Sequence, residues 1–139
     1  MKNGELEILN RIFVAKYNSL AHYISEASPY IGEGEQELFK LVKEIGDEDH
    51  GLMQDTAEAI ENLSGVVSVQ PHDLGVGELN YLALGFLTSL LIKNMEQQLT
   101  IYQQDLNELQ EGTAASGIVK KVIKQIDSRL SQLKAMYQG

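Results

Sequence analysis

The sequence predicts an all-α four-helix bundle in which one long connection joins the second helix to the third. Three observations favour this fold class. Apolar residues recur at steps of three and four over four long stretches, as they do on the buried face of an amphipathic helix. Short turns rich in glycine or proline follow the first and the third stretch. Between the second and the third, residues 65–77 show no helical period.

The whole chain, residues 1–139, is expected to form a single domain, because its length suits one hydrophobic core. It has no cysteine, which excludes disulfides and thiolate metal sites. Its formal net charge of −9 argues against binding nucleic acid and against docking on anionic lipid. The most apolar run, residues 81–92, is about half the ~20 residues that a membrane span needs. We therefore expect a cytoplasmic protein without a membrane partner.

The first two helices are predicted on either side of a short turn. The first runs from a cap at Asn3 to about Ser28, because Pro29 disfavours its continuation. The second covers about residues 35–63 and ends at Gly65, a glycine stop. A short turn between two long helices makes them neighbours that run in opposite directions.

The connection and the last helix complete the predicted topology. About twelve extended residues reach roughly 40 Å, and a helix of about 29 residues is roughly 43 Å long. Residues 65–77 can therefore just cross the length of the bundle. The fourth helix is predicted to begin after a cap at Thr113 or Ser116 and to end at about Tyr137.

The third helix, predicted over about residues 78–111, is apolar nearly all round in its first half. A helix of this kind is buried on more than one side. Two interpretations remain open at this point. The helix is either central to the bundle or forms a homodimer contact through Phe86 and Leu90.

Three charged residues fall on the inward positions of their helices, each near the middle. They are Lys16, Asp49 and Arg129. Mid-helix positions in an antiparallel bundle meet at one level, so periodicity predicts a buried cluster of two cations and one carboxylate. Such charges must be paired or must ligate something. One interpretation is a structural network; the other is a polar pocket in the core that binds a small organic molecule. Nearby hydroxyls and an amide are expected from Tyr23, Thr88, Gln98 and Tyr102.

Several segments carry a family resemblance, together with the order and length of the helices. They are Leu9-Asn10, Lys16-Tyr17, Glu48-Asp49-His50-Gly51-Leu52 and the run from Ala57 to Gly65. In these the chain resembles the ferritin-like superfamily, close in layout to bacterioferritin-type and rubrerythrin-type diiron domains. The resemblance implies one Glu from each of two helices and a Glu-x-x-His from each of the other two, which together bind two irons.

Carried onto this sequence, the diiron pattern is largely lost. The Glu of the first helix falls on Lys16. The Glu-x-x-His of the second falls on Asp49 and Leu52, and the Glu of the third falls on Leu91 or Ile92. The second Glu-x-x-His falls on Ile126 and Arg129. One carboxylate of the six ligands remains, so the resemblance implies the fold without its diiron centre.

The expected function is therefore that of a non-catalytic structural or interaction protein, a homodimer without a cofactor. One alternative is a working ferritin-like protein that stores or oxidises iron at a rearranged site of Asp47, Asp49 and His50. In that case it would be a ferroxidase-like oxidoreductase. The other alternative is small-molecule binding in the core. The sequence contains no phosphate-binding glycine loop and no nucleophile motif.

Overall fold

The computed structural model describes residues 2–27, 29–67 and 82–137. Its helices are α1 (Lys2–Tyr17), α2 (Leu20–Glu26), α3 (Gln36–Asn62), α4 (Leu84–Glu108) and α5 (Ala114–Met136). The predicted all-α class with four long helical stretches is confirmed. Most of the predicted connection, residues 68–77, lies outside the described residues. Within the described residues, no helix combines the length and the apolar character needed to cross a membrane.

The prediction of one continuous first helix is wrong. The chain leaves the helix after Tyr17, and α2 begins at Leu20. The side-chain amide of Asn18 donates to the carbonyl of Val14 at 3.0 Å, and Ser19 becomes the N-cap of α2. Asn and Ser offer the backbone local hydrogen bonds that compete with a helix, which explains the break. The cap expected at Asn3 is wrong too, since α1 already begins at the residue before it.

Contacts between helices fix their relative directions. Leu6 in α1 packs on Gly65, just after α3, whereas Ala21 and His22 in α2 approach Gly46 in the middle of α3. The α1–α2 arm therefore runs opposite to α3.

The last helix pairs with α3 and α4 in the same reversed manner. Asp55 near the end of α3 binds Lys121 near the start of α5, whereas Arg129 binds the earlier Glu48. On α4, Glu96 binds Lys134 near the end of α5 at 2.8 Å, and a short turn joins the two helices. α5 thus lies in the seam between α3 and α4 and runs opposite to both.

The predicted start of the third long helix is corrected from residue 78 to Leu84. Just before it, the carbonyl of Leu82 accepts a hydrogen bond from the backbone N–H of Tyr30, and the N–H of Leu84 donates to the carbonyl of Tyr30, both at 2.8 Å. This isolated parallel bridge pairs Tyr30 with Ala83. It satisfies the backbone in an extended form and ties the α2–α3 turn to the beginning of α4.

Most of the predicted inward positions are buried. The buried ones include Leu9, Phe13, Lys16, Val42, Ile45, Asp49, Leu52, Leu91, Met95, Tyr102, Val122, Ile126 and Leu133. Met136 lies three residues after the buried Leu133, so the same spacing predicts that it faces inward, but it is 41% exposed at the last residue of α5. Arg129 is only partly buried as well, with consequences for the site.

Candidate functional site

The centre of the bundle holds a buried ion pair. The ammonium group of Lys16 donates to Asp49 Oδ1 at 2.9 Å. The two side chains are 3% and 10% exposed. α1 presents Lys16 at its last turn, and α3 presents Asp49 at its middle, both among apolar neighbours. The structure thus brings together two of the three charged residues that periodicity placed inside.

Two further polar side chains complete the coordination of the Asp49 carboxylate. Ser19 donates its hydroxyl to Oδ2 at 2.6 Å, and Gln125 donates from Nε2 to Oδ1 at 3.1 Å. The carbonyl oxygen of Gln125 in turn accepts a hydrogen bond from Lys16 Nζ at 3.2 Å. Both carboxylate oxygens are therefore satisfied, as a buried charge requires.

The Ser19 hydroxyl also makes a hydrogen bond to the backbone of α2. Its Oγ accepts the backbone N–H of His22 at 3.1 Å and so caps α2. The hydroxyl acts as donor to Asp49 and as acceptor to the helix at once. The position of the α1–α2 break is thereby tied to the buried carboxylate.

Sequence reasoning missed both Ser19 and Gln125. A signal for Ser19 was its residue type, because serine directly before a short apolar helix is a preferred N-cap. A signal for Gln125 was its spacing, because it lies four residues before Arg129 and therefore on the same side of α5. Sequence reasoning placed Arg129 of α5 beside Asp49, whereas Gln125, one turn earlier, occupies that place.

The position of Arg129 corrects the predicted three-residue cluster. Its guanidinium bonds Glu48 through Nη2 at 2.6 Å and Nε at 2.9 Å, and its Nη1 lies 3.4 Å from a Glu44 oxygen. It does not reach Asp49, because Gln125 occupies that place one turn earlier. The hydrogen bond from Arg129 lowers the pKa of Glu48, and Glu48 in turn raises the pKa of Arg129. Arg129 therefore belongs to the edge of the α3–α5 seam.

The cavity beside the ion pair is very small. It has a volume of about 10 Å³ and is bounded by Lys16, Ser19, Asp49 and Gln125 on its polar side. Ile45, Leu91, Met95 and Ile126 form much of its apolar side. This volume is at the lower limit for one water molecule. An organic ligand would fit at this place only if the core opened.

The residues suggested as fallback iron ligands do not face one another. Asp49 is buried, whereas Asp47 and His50 are exposed on other sides of α3. Across residues 2–27, 29–67 and 82–137, no group of three His, Asp or Glu side chains is placed to hold a metal ion. Three positions that the resemblance equates with ligands, Leu52, Leu91 and Ile126, are apolar core residues.

A second polar contact crosses the bundle between Arg11 of α1 and Asp105 of α4. Arg11 Nη1 donates to both carboxylate oxygens of Asp105, at 2.9 and 2.7 Å. Asp105 is buried, whereas the Arg11 side chain is 45% exposed.

Tyr102, one turn before Asp105, is 2% exposed. Burial, reinforced by the carboxylates of Asp49 and Asp105, raises the pKa of the Tyr102 hydroxyl far above its usual value.

No family model, curated protein or solved structure matches this chain. The fold and the site define an all-α protein with an ion pair, Lys16–Asp49, at its centre. Its function has to be argued from that geometry.

Proposed function

We propose that this chain is a ferritin-like bundle in which a structural ion pair has replaced the diiron centre. It acts as a non-catalytic structural or interaction protein. The observation that carries the proposal is the hydrogen bond from Lys16 to Asp49 at the centre of the core. The ammonium group supplies the positive charge that a buried carboxylate needs, without a metal ion.

The ends of α3 and α4 support the ferritin-like topology with a long crossover. The end of α3 lies beside Leu6, near the start of α1. The start of α4 lies beside Tyr30 and near Glu35, at the start of α3. α3 and α4 thus begin at the same end of the bundle and run in the same direction, as two helices joined by a long crossover do.

The side chains around the ion pair support a non-catalytic role. The carboxylate of Asp49 already accepts three hydrogen bonds, from Lys16, Ser19 and Gln125. The adjoining cavity has room for about one water, and beyond the polar side chains of Asn94 and Gln98 the rest of its lining is apolar. A reaction at this place would have to break the network and displace core side chains, which costs stability.

The experiment is an iron measurement on protein purified without an affinity metal. Elemental analysis gives the resident metal, and anaerobic addition of Fe(II) followed by air gives the oxidation rate. We expect far less than one iron per chain, oxidation no faster than in buffer alone, and a melting temperature insensitive to chelator. About two irons per chain with fast oxidation would reject the proposal. Substitutions of Asp47, Asp49 and His50 would then test the rearranged site.

A further inference from the structure

The beginning of α4 carries apolar side chains that face solvent. Phe86 and Leu90 lie one turn apart on α4 and are 54% and 37% exposed, and Leu82, in the extended stretch before the helix, is 37% exposed. The backbone bridge between Tyr30 and Ala83 brings Tyr30 and Ile31 to the same place, where they are 67% and 36% exposed. These five side chains, Tyr30, Ile31, Leu82, Phe86 and Leu90, form what we call the α4 patch.

Leu82, Phe86 and Leu90 of the α4 patch lie on a stretch of sequence without charged residues in a strongly acidic chain, and the Glu35 carboxylate lies close to this stretch at Gly85. Residues 82–92 contain no Asp, Glu, Lys or Arg, although the net charge of the chain is −9. By contrast, α3 exposes acidic side chains along its length, at Glu37, Glu44, Asp47, Glu58 and Glu61. Two copies of an acidic protein repel each other through such faces. Contact through the uncharged residues at the beginning of α4 reduces that repulsion and buries apolar surface.

We propose that the α4 patch is the docking surface for a second copy of this chain. The proposal names the partner for the interaction role proposed above, and in that sense rests on it. Phe86 and Leu90, four residues apart on α4, form a ridge that packs into the matching groove of an identical helix. In a twofold arrangement centred between Phe86 and Leu90, Phe86 of one protomer lies against Leu90 of its partner. Tyr30 and Ile31 then extend the contact on both sides.

The size of the patch suits the apolar centre of such an interface. Standard interfaces bury about 800 Å² on each partner, with an apolar centre and a polar rim. A fully exposed aromatic side chain presents roughly 150–250 Å², so Tyr30 and Phe86 together expose on the order of 200 Å². Lys93 and Gln97, exposed further along α4, are suited to the polar rim.

The test is sedimentation velocity over a wide range of protein concentration. We expect the wild type to dimerise and Phe86→Glu to raise the dissociation constant roughly 30-fold or more, as for a central interface residue. Val66→Glu is the matched control. Val66 is 83% exposed but follows the end of α3, at the opposite end of the molecule, so this variant should dimerise like the wild type. Circular dichroism checks that both variants fold.

A second pair of variants tests the register. Phe86→Glu and Leu90→Lys should each be monomeric alone and should form a heterodimer when mixed, because the new charges attract across the twofold. A monomeric wild type, or a Phe86→Glu variant that dimerises as strongly as Val66→Glu, would overturn the α4 proposal. The iron measurement does not depend on assembly. A monomer that binds no iron would therefore reject the dimer alone, and a dimer that oxidises iron would reject the proposed function alone.

Discussion

Lys16 Nζ lies 2.9 Å from Asp49 Oδ1, and this hydrogen bond links α1 to α3 inside the core. Through Ser19 and Gln125 the same carboxylate also holds the start of α2 and the middle of α5. A buried pair of this kind gains little net stability over apolar residues, because both charges lose their hydration. Removing one partner has a different consequence, because the remaining charge stays buried without compensation.

The first prediction concerns Asp49→Ala. We expect this variant to lose about 3–5 kcal/mol of unfolding free energy, because Lys16 is left as an unpaired buried cation. Urea denaturation at neutral pH measures the loss. Asp47→Ala is the control on the same helix, since Asp47 is exposed. Its effect should stay within about 0.5 kcal/mol of zero. Equal effects of the two substitutions would contradict the burial of Asp49 with Lys16.

A double variant distinguishes the free-energy cost of an unpaired buried charge from the cost of lost packing. Replacing the pair by Lys16→Met with Asp49→Leu removes both buried charges at this place, and the apolar side chains fill a similar volume. We expect the double variant to be more stable than Asp49→Ala, by about 1 kcal/mol or more, although Ser19 and Gln125 lose a partner. A double variant as unstable as Asp49→Ala would locate the cost in the lost Ser19 and Gln125 hydrogen bonds.

Lys16 and Asp49 could be predicted because apolar periodicity depends only on backbone position, which a regular helix fixes. Arg129 could not be placed in the same way. Arg129 follows the inward spacing of α5, but its long side chain extends to Glu48 at the edge of the contact between α3 and α5. Periodicity also gave no sign of the break at Asn18, which local side-chain hydrogen bonds cause.

The start of α4 at Leu84 could not be predicted from the sequence, for a related reason. Residues 81–92 are mostly apolar and contain no charged residue, so the sequence marks no boundary inside them. The boundary is set instead by a bridge to Tyr30, a residue more than fifty positions earlier. Contacts between segments so distant in sequence leave no local pattern, whereas the helix type of each long stretch does.

A pair of glycine substitutions in α3 tests the close approach of α2. A Cβ added at Gly46 would lie 3.0 Å from the Cα of His22 and 3.1 Å from its backbone nitrogen. Because those atoms are backbone, Gly46→Ala should destabilise the fold by about 1–3 kcal/mol. At Gly51 the added Cβ meets nothing within 4 Å. Gly51→Ala should therefore stabilise the fold, by up to about 1 kcal/mol, through helix propensity alone. Thermal melts of both variants provide the measurement, and effects of the same sign would refute this view of the α2–α3 contact.

The Glu48–Arg129 pair predicts a small loss of stability in acid. Hydrogen bonds from Arg129 lower the pKa of Glu48 in the folded protein. Its contribution is therefore present above the usual glutamate pKa of about 4.3 and is lost as pH falls through the lower folded pKa. The Glu48 and Arg129 side chains are 38% and 20% exposed, so solvent screening limits the pair to about 1 kcal/mol or less.

The matching experiment is urea denaturation of Glu48→Gln between neutral pH and pH 3, at low and at high salt. The variant should be slightly less stable than the wild type at neutral pH, and the difference should shrink in acid and in salt. Glu58→Gln, an exposed carboxylate on the same helix, serves as the control. A difference that grows in acid would contradict the sign of the pKa shift.

Tyr102 predicts a loss of stability in alkali. Burial, together with the carboxylates of Asp49 and Asp105, raises the pKa of its hydroxyl well above the usual value of about 10. The folded protein therefore keeps a proton that the unfolded chain releases. The stabilisation is complete below pH 10 and is lost as pH rises above it, because the unfolded state then binds fewer protons.

The ionisation of Tyr102 is measured directly by the ultraviolet absorbance of tyrosinate as pH is raised. We expect one ionisation step that appears only when the protein unfolds in alkali, and we assign it to Tyr102. Tyr102→Phe should lack that step, and its stability should fall less steeply above pH 10. The titration is independent of the ion-pair variants, yet it reports on the same core, because the Asp49 carboxylate contributes to the shift. Asp49→Asn should therefore bring the ionisation of Tyr102 to lower pH if the variant remains folded.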